Sequence, residues 1–96
     1  MIDNKNAILR VIEEDVDGCG SDAVMYVMFS KPIDNDIQNE FQNHLRAVKE
    51  SDISADYDTE DMVDEAIERF NVSEFAKNLI ITVCTIDAPY HGVVTF

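Results

Sequence analysis

Tryptophan is absent from this 96-residue chain, and glycine (three), proline (two) and cysteine (two) are scarce. The glycines, at positions 18, 20 and 92, do not open a helix in the pattern of a phosphate-binding loop, so nucleotide chemistry of that kind is excluded. Cys19 and Cys84 are too few for a disulfide framework. Together with His44 and His91 they form no paired Cys or His spacing of the zinc-binding type, and no metal or cofactor is expected. Cys84 and His91 lack the strand-turn context of a nucleophile and its base, so the chain is not read as an enzyme. No apolar run approaches the roughly 20 residues that span a bilayer, and Met1–Arg10 contains no signal-peptide core. These absences predict a cytoplasmic protein.

The deepest deficit is in positive charge. Seven Lys and Arg face 20 Asp and Glu, a net charge of −13. Direct nucleic-acid binding requires bases against phosphate, and anionic lipid requires them for the same reason. Neither is expected. A basic protein is the natural counterpart of such a charge, which also speeds encounter with it.

What is present suffices for a folded core. The apolar fraction is 46%, ordinary for a globular protein, and residues 1–96 are expected to form one domain. Residues 7–16 alternate loosely, with Ile8, Arg10, Ile12 and Glu14 on one face, which suits a strand; a helix ending at Gly18 is the rival. A turn-rich stretch over 16–22 leads to the apolar run of 23–30, a second strand. Ser30-Lys31-Pro32 signals a helix start, and Ile33, Ile37, Phe41, Leu45 and Val48 carry the helical period to Lys49. After a polar linker over 50–58, Asp58 or Thr59 can cap a second helix with Met62, Val63, Ala66, Ile67 and Phe70 as its apolar stripe. Residues 79–86 are a third strand, 87–92 a turn, and the final four residues a fourth strand. The predicted fold is α+β, in ββααββ order, with a mostly antiparallel four-stranded sheet and two helices on one face. Such a sheet leaves an apolar far face, around Tyr26, Met28, Thr82 and Cys84, to be covered by loops or by a second copy of the chain.

One stretch concentrates the unusual physics. Glu50, Asp52, Asp56, Asp58, Glu60, Asp61, Asp64, Glu65 and Glu68 place nine carboxylates in nineteen residues without a Lys or Arg. Over the helical part, at 1.5 Å per residue, five acids span about 12 Å, or about one charge per 2.4 Å. Double-stranded DNA carries one per about 1.7 Å. Pairs four apart, such as Glu60–Asp64 and Asp64–Glu68, repel, each costing roughly 0.2–0.5 kcal/mol of helix. A second acidic segment holds Glu13, Glu14, Asp15, Asp17 and Asp22. Its Glu13, Asp15, Asp17 and Gly18 resemble the opening of an EF-hand calcium loop, but Val24 stands where the bidentate Glu belongs. The departure leaves at most a weak cation-binding turn.

Thr85-Ile86-Asp87-Ala88-Pro89-Tyr90, following the apolar Leu79–Cys84, is similar to a strand-turn segment of the small acidic uracil-DNA glycosylase inhibitors of phages. The resemblance covers six to ten residues. It implies a class of small acidic phage inhibitors that imitate DNA, to which anti-CRISPR and anti-restriction proteins also belong. Two functions follow from the acidic stretch and this likeness. One is a DNA-imitating inhibitor that fills the nucleic-acid channel of a basic nuclease or repair enzyme. Its primary contacts would be the nine acids of 50–68 and its secondary contacts the acids of 13–22. The other is an acidic protein–protein interaction domain, homodimeric through its apolar sheet face, whose charge serves solubility.

Overall fold

A computed structural model describes residues 7–14, 20, 22–73, 81–84 and 89–96. The elements are strand β1 (Ile8–Glu13), strand β2 (Ala23–Phe29), helix α1 (Asn35–Glu50), a 3₁₀ turn (Asp52–Asp56), helix α2 (Thr59–Asn71), strand β3 (Ile81–Cys84) and strand β4 (Gly92–Thr95). The fold is α+β, with one four-stranded sheet in the order β3-β2-β1-β4.

β1 and β2 pair antiparallel from Ile8 opposite Met28 to Glu13 opposite Ala23. The strand reading of residues 7–16 thus holds over the helical one. Leu9, Val11, Met25, Val27 and Phe29 face the helices and are buried. α1 starts later than the Ser-Lys-Pro signal predicts. Its N-cap is Asp34, whose side chain accepts from the Ile37 N–H at 2.9 Å and so satisfies one of the orphan amides of the first turn. Phe41, Leu45 and Val48 of α1 meet Met62, Val63, Ala66 and Phe70 of α2 in one core. Phe29, Phe41 and Phe70 contact one another edge to face, with ring centroids 5.7–6.0 Å apart, an arrangement worth about 0.5–1.5 kcal/mol per pair beyond burial. The His44 ring meets Phe70 in the same way at 6.1 Å, and its Nε2 lies 3.2 Å from Glu40 on its own helix.

The sheet is mixed rather than all antiparallel. β2 and β3 are antiparallel, but β4 lies beside β1 and parallel to it, with Arg10 opposite Val93. β3 and β4 therefore lie at opposite edges of the sheet, and they do not form a hairpin with each other. The residues just before β4 contact the far face of the sheet. Tyr90 packs against Tyr26 with ring centroids 6.0 Å apart and planes tilted by 44°, and the Arg10 guanidinium sits 5.6 Å over the Tyr90 ring and donates to its hydroxyl at 3.4 Å. Tyr26, on the far face of the sheet, is thereby buried to 7% exposure. Tyr90 covers Tyr26 on that face, and Val24 and Val93 stay exposed. At the β4 edge, the Gln42 side-chain amide donates to the Thr95 carbonyl at 3.2 Å. A side chain at Gly92 would collide with Gln38, also on α1. Gln42 thus occupies one acceptor of an edge that could otherwise pair with another strand.

Candidate acidic interaction face

α2 begins where Asp58 and Asp61 exchange backbone bonds. The Asp58 carboxylate accepts from the Asp61 N–H at 2.9 Å, and the Asp61 carboxylate accepts from the Asp58 N–H at 3.3 Å. This is a capping box with Asp in both roles. Acids in the first turn are also stabilised by the helix dipole, which accounts for part of the acid content of Glu60 and Asp61.

The helix period then sorts the side chains. At about 100° per residue, Glu60, Asp64, Glu68, Asp61 and Glu65 fall within an arc of about 140°. Thr59, Met62, Val63, Ala66 and Phe70, all buried, fall on the opposite side, about 180° away from centre to centre. Burial of one stripe therefore fixes the direction of the other. Glu60, Asp61, Asp64 and Glu68 are exposed and Glu65 is half-buried. Arg69, just beyond the base-free stretch, comes within 3.6 Å of Glu65. Glu60, Asp64 and Glu68 have no ion-pair partner among the described residues.

The segment before α2 differs from the expected linker. α1 runs through Glu50, and Asp52–Asp56 form a 3₁₀ turn, closed at its start by the Ser51 N–H and hydroxyl, which both donate to the Val48 carbonyl. This turn brings Asp56 beside the helix. Asp56, Tyr57, Asp61, Asp64, Glu65 and Glu68 line one open cavity of about 280 Å³. Tyr57 carries no charge, so a count of carboxylates does not mark it. The signal was an aromatic set between Asp56 and Asp58, and its half-buried ring packs against the core. Glu50, Asp52 and Asp58 are exposed but lie outside that cavity.

The secondary segment is less coherent. Asp15 and Asp17 lie outside the described residues. Glu14 and Asp22 are exposed. Glu14 shares an open cavity of about 220 Å³ with Glu50, but Arg46 and Lys49 line it too, so the charge there is mixed. Glu13 must be withdrawn from the interaction surface. It is the third inward position of β1 after Leu9 and Val11, and only 3% exposed. A buried carboxylate needs a counter-charge and donors. Glu13 has both: the Lys49 ammonium at 3.4 Å and the Thr59 hydroxyl, which donates at 2.5 Å.

Among the described residues no group of three or more His, Cys, Asp or Glu is placed to hold a metal ion. None of the described helices is long and apolar enough to cross a membrane. Cys19 and most of the Thr85–Tyr90 segment fall outside the described residues. The chain matches no protein-family model, no curated protein and no solved structure.

Proposed function

We propose that this chain is an acidic inhibitor that imitates DNA and occupies the nucleic-acid channel of a basic partner, acting in the cytoplasm as a phage-type anti-defence protein such as an anti-CRISPR. The observation that carries this reading is the opposition of stripes on α2. Its apolar side is buried, so five carboxylates point outward in one fixed arc, extended by Asp56.

The mechanism requires no covalent step. A net charge of −13 steers the chain toward a cluster of Lys and Arg, with association rates that fall steeply as salt rises. The repulsion stored among Glu60, Asp64 and Glu68 is relieved when cations approach, so binding recovers an energy that folding had to spend. Asp56 and Tyr57 add an acceptor and an aromatic face beside the row, a combination that suits an arginine side chain.

The test begins with affinity capture from a cell lysate, using the chain as bait and eluting with salt. The captured partner is then titrated with a variant in which Glu60, Asp64 and Glu68 are changed to Lys. These three neither cap the helix nor pair with Arg69, so the fold is retained. Binding should be lost. A variant that binds as tightly, with the same salt dependence, would sink the proposal.

The exposed Val24 and Val93 on the far sheet face favour a second reading, an interaction domain that dimerises through that face. Light scattering on the purified chain separates the two. A dimer that persists in high salt and whose binding survives the triple Lys substitution supports the second.

A further inference from the structure

We propose that Glu13 is an internal latch that ties the first turn of the acidic helix to the sheet. Its carboxylate closes β1, and the two groups that answer it belong to other elements. Thr59 is the first residue of α2 and donates to Oε1 at 2.5 Å; Lys49, in the last turn of α1, stands 3.4 Å from Oε2. The Lys49 ammonium has three donors, and it also reaches the Glu14 carbonyl at 2.9 Å and the Phe96 carbonyl at 3.2 Å. One ion pair thus joins the end of β1, the end of α1, the start of α2 and the residue after β4.

An apolar residue at position 13 would continue the Leu9–Val11 stripe and bury as well, since apolar contact has no direction. A carboxylate does have one. It is satisfied only while the Thr59 hydroxyl and the Lys49 ammonium hold their places. Asp58 and Asp61 cap the helix from the solvent side, and Glu13 holds its first residue from the inside. The pair of restraints determines the rotation of α2, and with it the placing of Asp61 and Asp64 beside Asp56 and Tyr57. The latch operates whatever the acidic face meets, so its test is independent of the DNA-imitation reading.

The test is backbone ¹⁵N relaxation on the full chain, comparing the parent with Thr59→Val, Thr59→Ser, Glu13→Gln and the double variant Glu13→Gln/Thr59→Val. Rigid backbone has an order parameter of about 0.85 and mobile backbone one below about 0.6. Thr59→Val should lower residues 59–61 toward the mobile value while β1 and α1 stay rigid. Thr59→Ser, which keeps the hydroxyl, should restore them. At residues 59–61 the double variant should look like Thr59→Val alone, because Glu13 reaches that turn through the Thr59 hydroxyl; the charge facing Lys49, which Glu13→Gln also removes, bears on α1 instead. A residue that merely adds stability would shift the unfolding midpoint and leave the order parameters of the folded state alone. Rigid values at 59–61 in Thr59→Val would overturn the latch, as would failure of Thr59→Ser to restore them or a further loss of order at 59–61 in the double variant. If Glu13→Gln does not fold, the Val and Ser variants decide.

Discussion

Asp64→Lys should make the protein more stable. Asp64 has Glu60 one turn before it and Glu68 one turn after it on the exposed side of α2. Each like-charge pair at this spacing costs roughly 0.2–0.5 kcal/mol, and each opposite pair returns a similar amount. Reversal removes two repulsions and installs two attractions, for a ceiling of about 2 kcal/mol. Exposure and side-chain entropy reduce such pairs, so about 1 kcal/mol is expected at low ionic strength. For a chain of this length that raises the melting temperature by about 4–8 °C. Thermal unfolding followed by circular dichroism measures it, at low salt and again in about 1 M salt, where the screening length falls to about 3 Å. Lys is also a better helix former than Asp, but that part is insensitive to salt, so the difference between the two conditions isolates the Coulombic share. Asp64→Asn, which only removes repulsion, should give about half of it. A gain that is the same in both salts, or a loss of stability, would mean that the three carboxylates do not share a face, and the geometry of the acidic arc would be wrong. In the proposed function the same substitution weakens partner binding, so stability and affinity should move in opposite directions.

Other substitutions probe the scaffold behind that arc. Phe70→Ala removes the ring that contacts Phe29, Phe41 and His44. It should cost about 3–5 kcal/mol, a large part of a typical total of about 5–15 kcal/mol, seen as a lower urea midpoint. Asp58→Ala deletes the N-cap of α2 and should cost about 1 kcal/mol by the same assay. Lys49→Met leaves Glu13 buried without its counter-charge and should cost about 3 kcal/mol, since the ammonium is itself partly exposed. Adding Glu13→Leu to Lys49→Met should recover most of that loss, because an apolar pair no longer strands a charge; a double variant no more stable than Lys49→Met would contradict this account of Glu13.

Much of the scaffold could be read from residue order because its signals are local. α2 announces itself by Asp58 and by apolar residues three and four apart, and the same period places its acids on the other side. The strands at 8–13 and 23–29 are short runs with turn chemistry between them. Other features depended on residues distant in the chain. Residues 52–56 have no periodicity, so nothing local marked the 3₁₀ turn that brings Asp56 and Tyr57 to the helix. The placing of β4 depended on β1, near the other end of the chain, which pairs with it and helps bury Val94 and Phe96, and the stretch before it looks locally like any tight turn.

Glu13 marks the boundary most clearly. It sits among the acids of residues 13–22 and invites the same reading as they do. Its alternation with Leu9 and Val11 points inward, but a strand pattern cannot say whether a carboxylate at its end is buried or has turned out to solvent. That was decided by Thr59, 46 residues away, and by Lys49, whose arrival makes burial affordable. The sequence by itself determined that this chain has an amphipathic helix with a dense acidic side, because helical periodicity and charge are properties of neighbours. Only the tertiary structure decided which acids remain on the surface, because burying a charge depends on partners that meet it after the chain has folded.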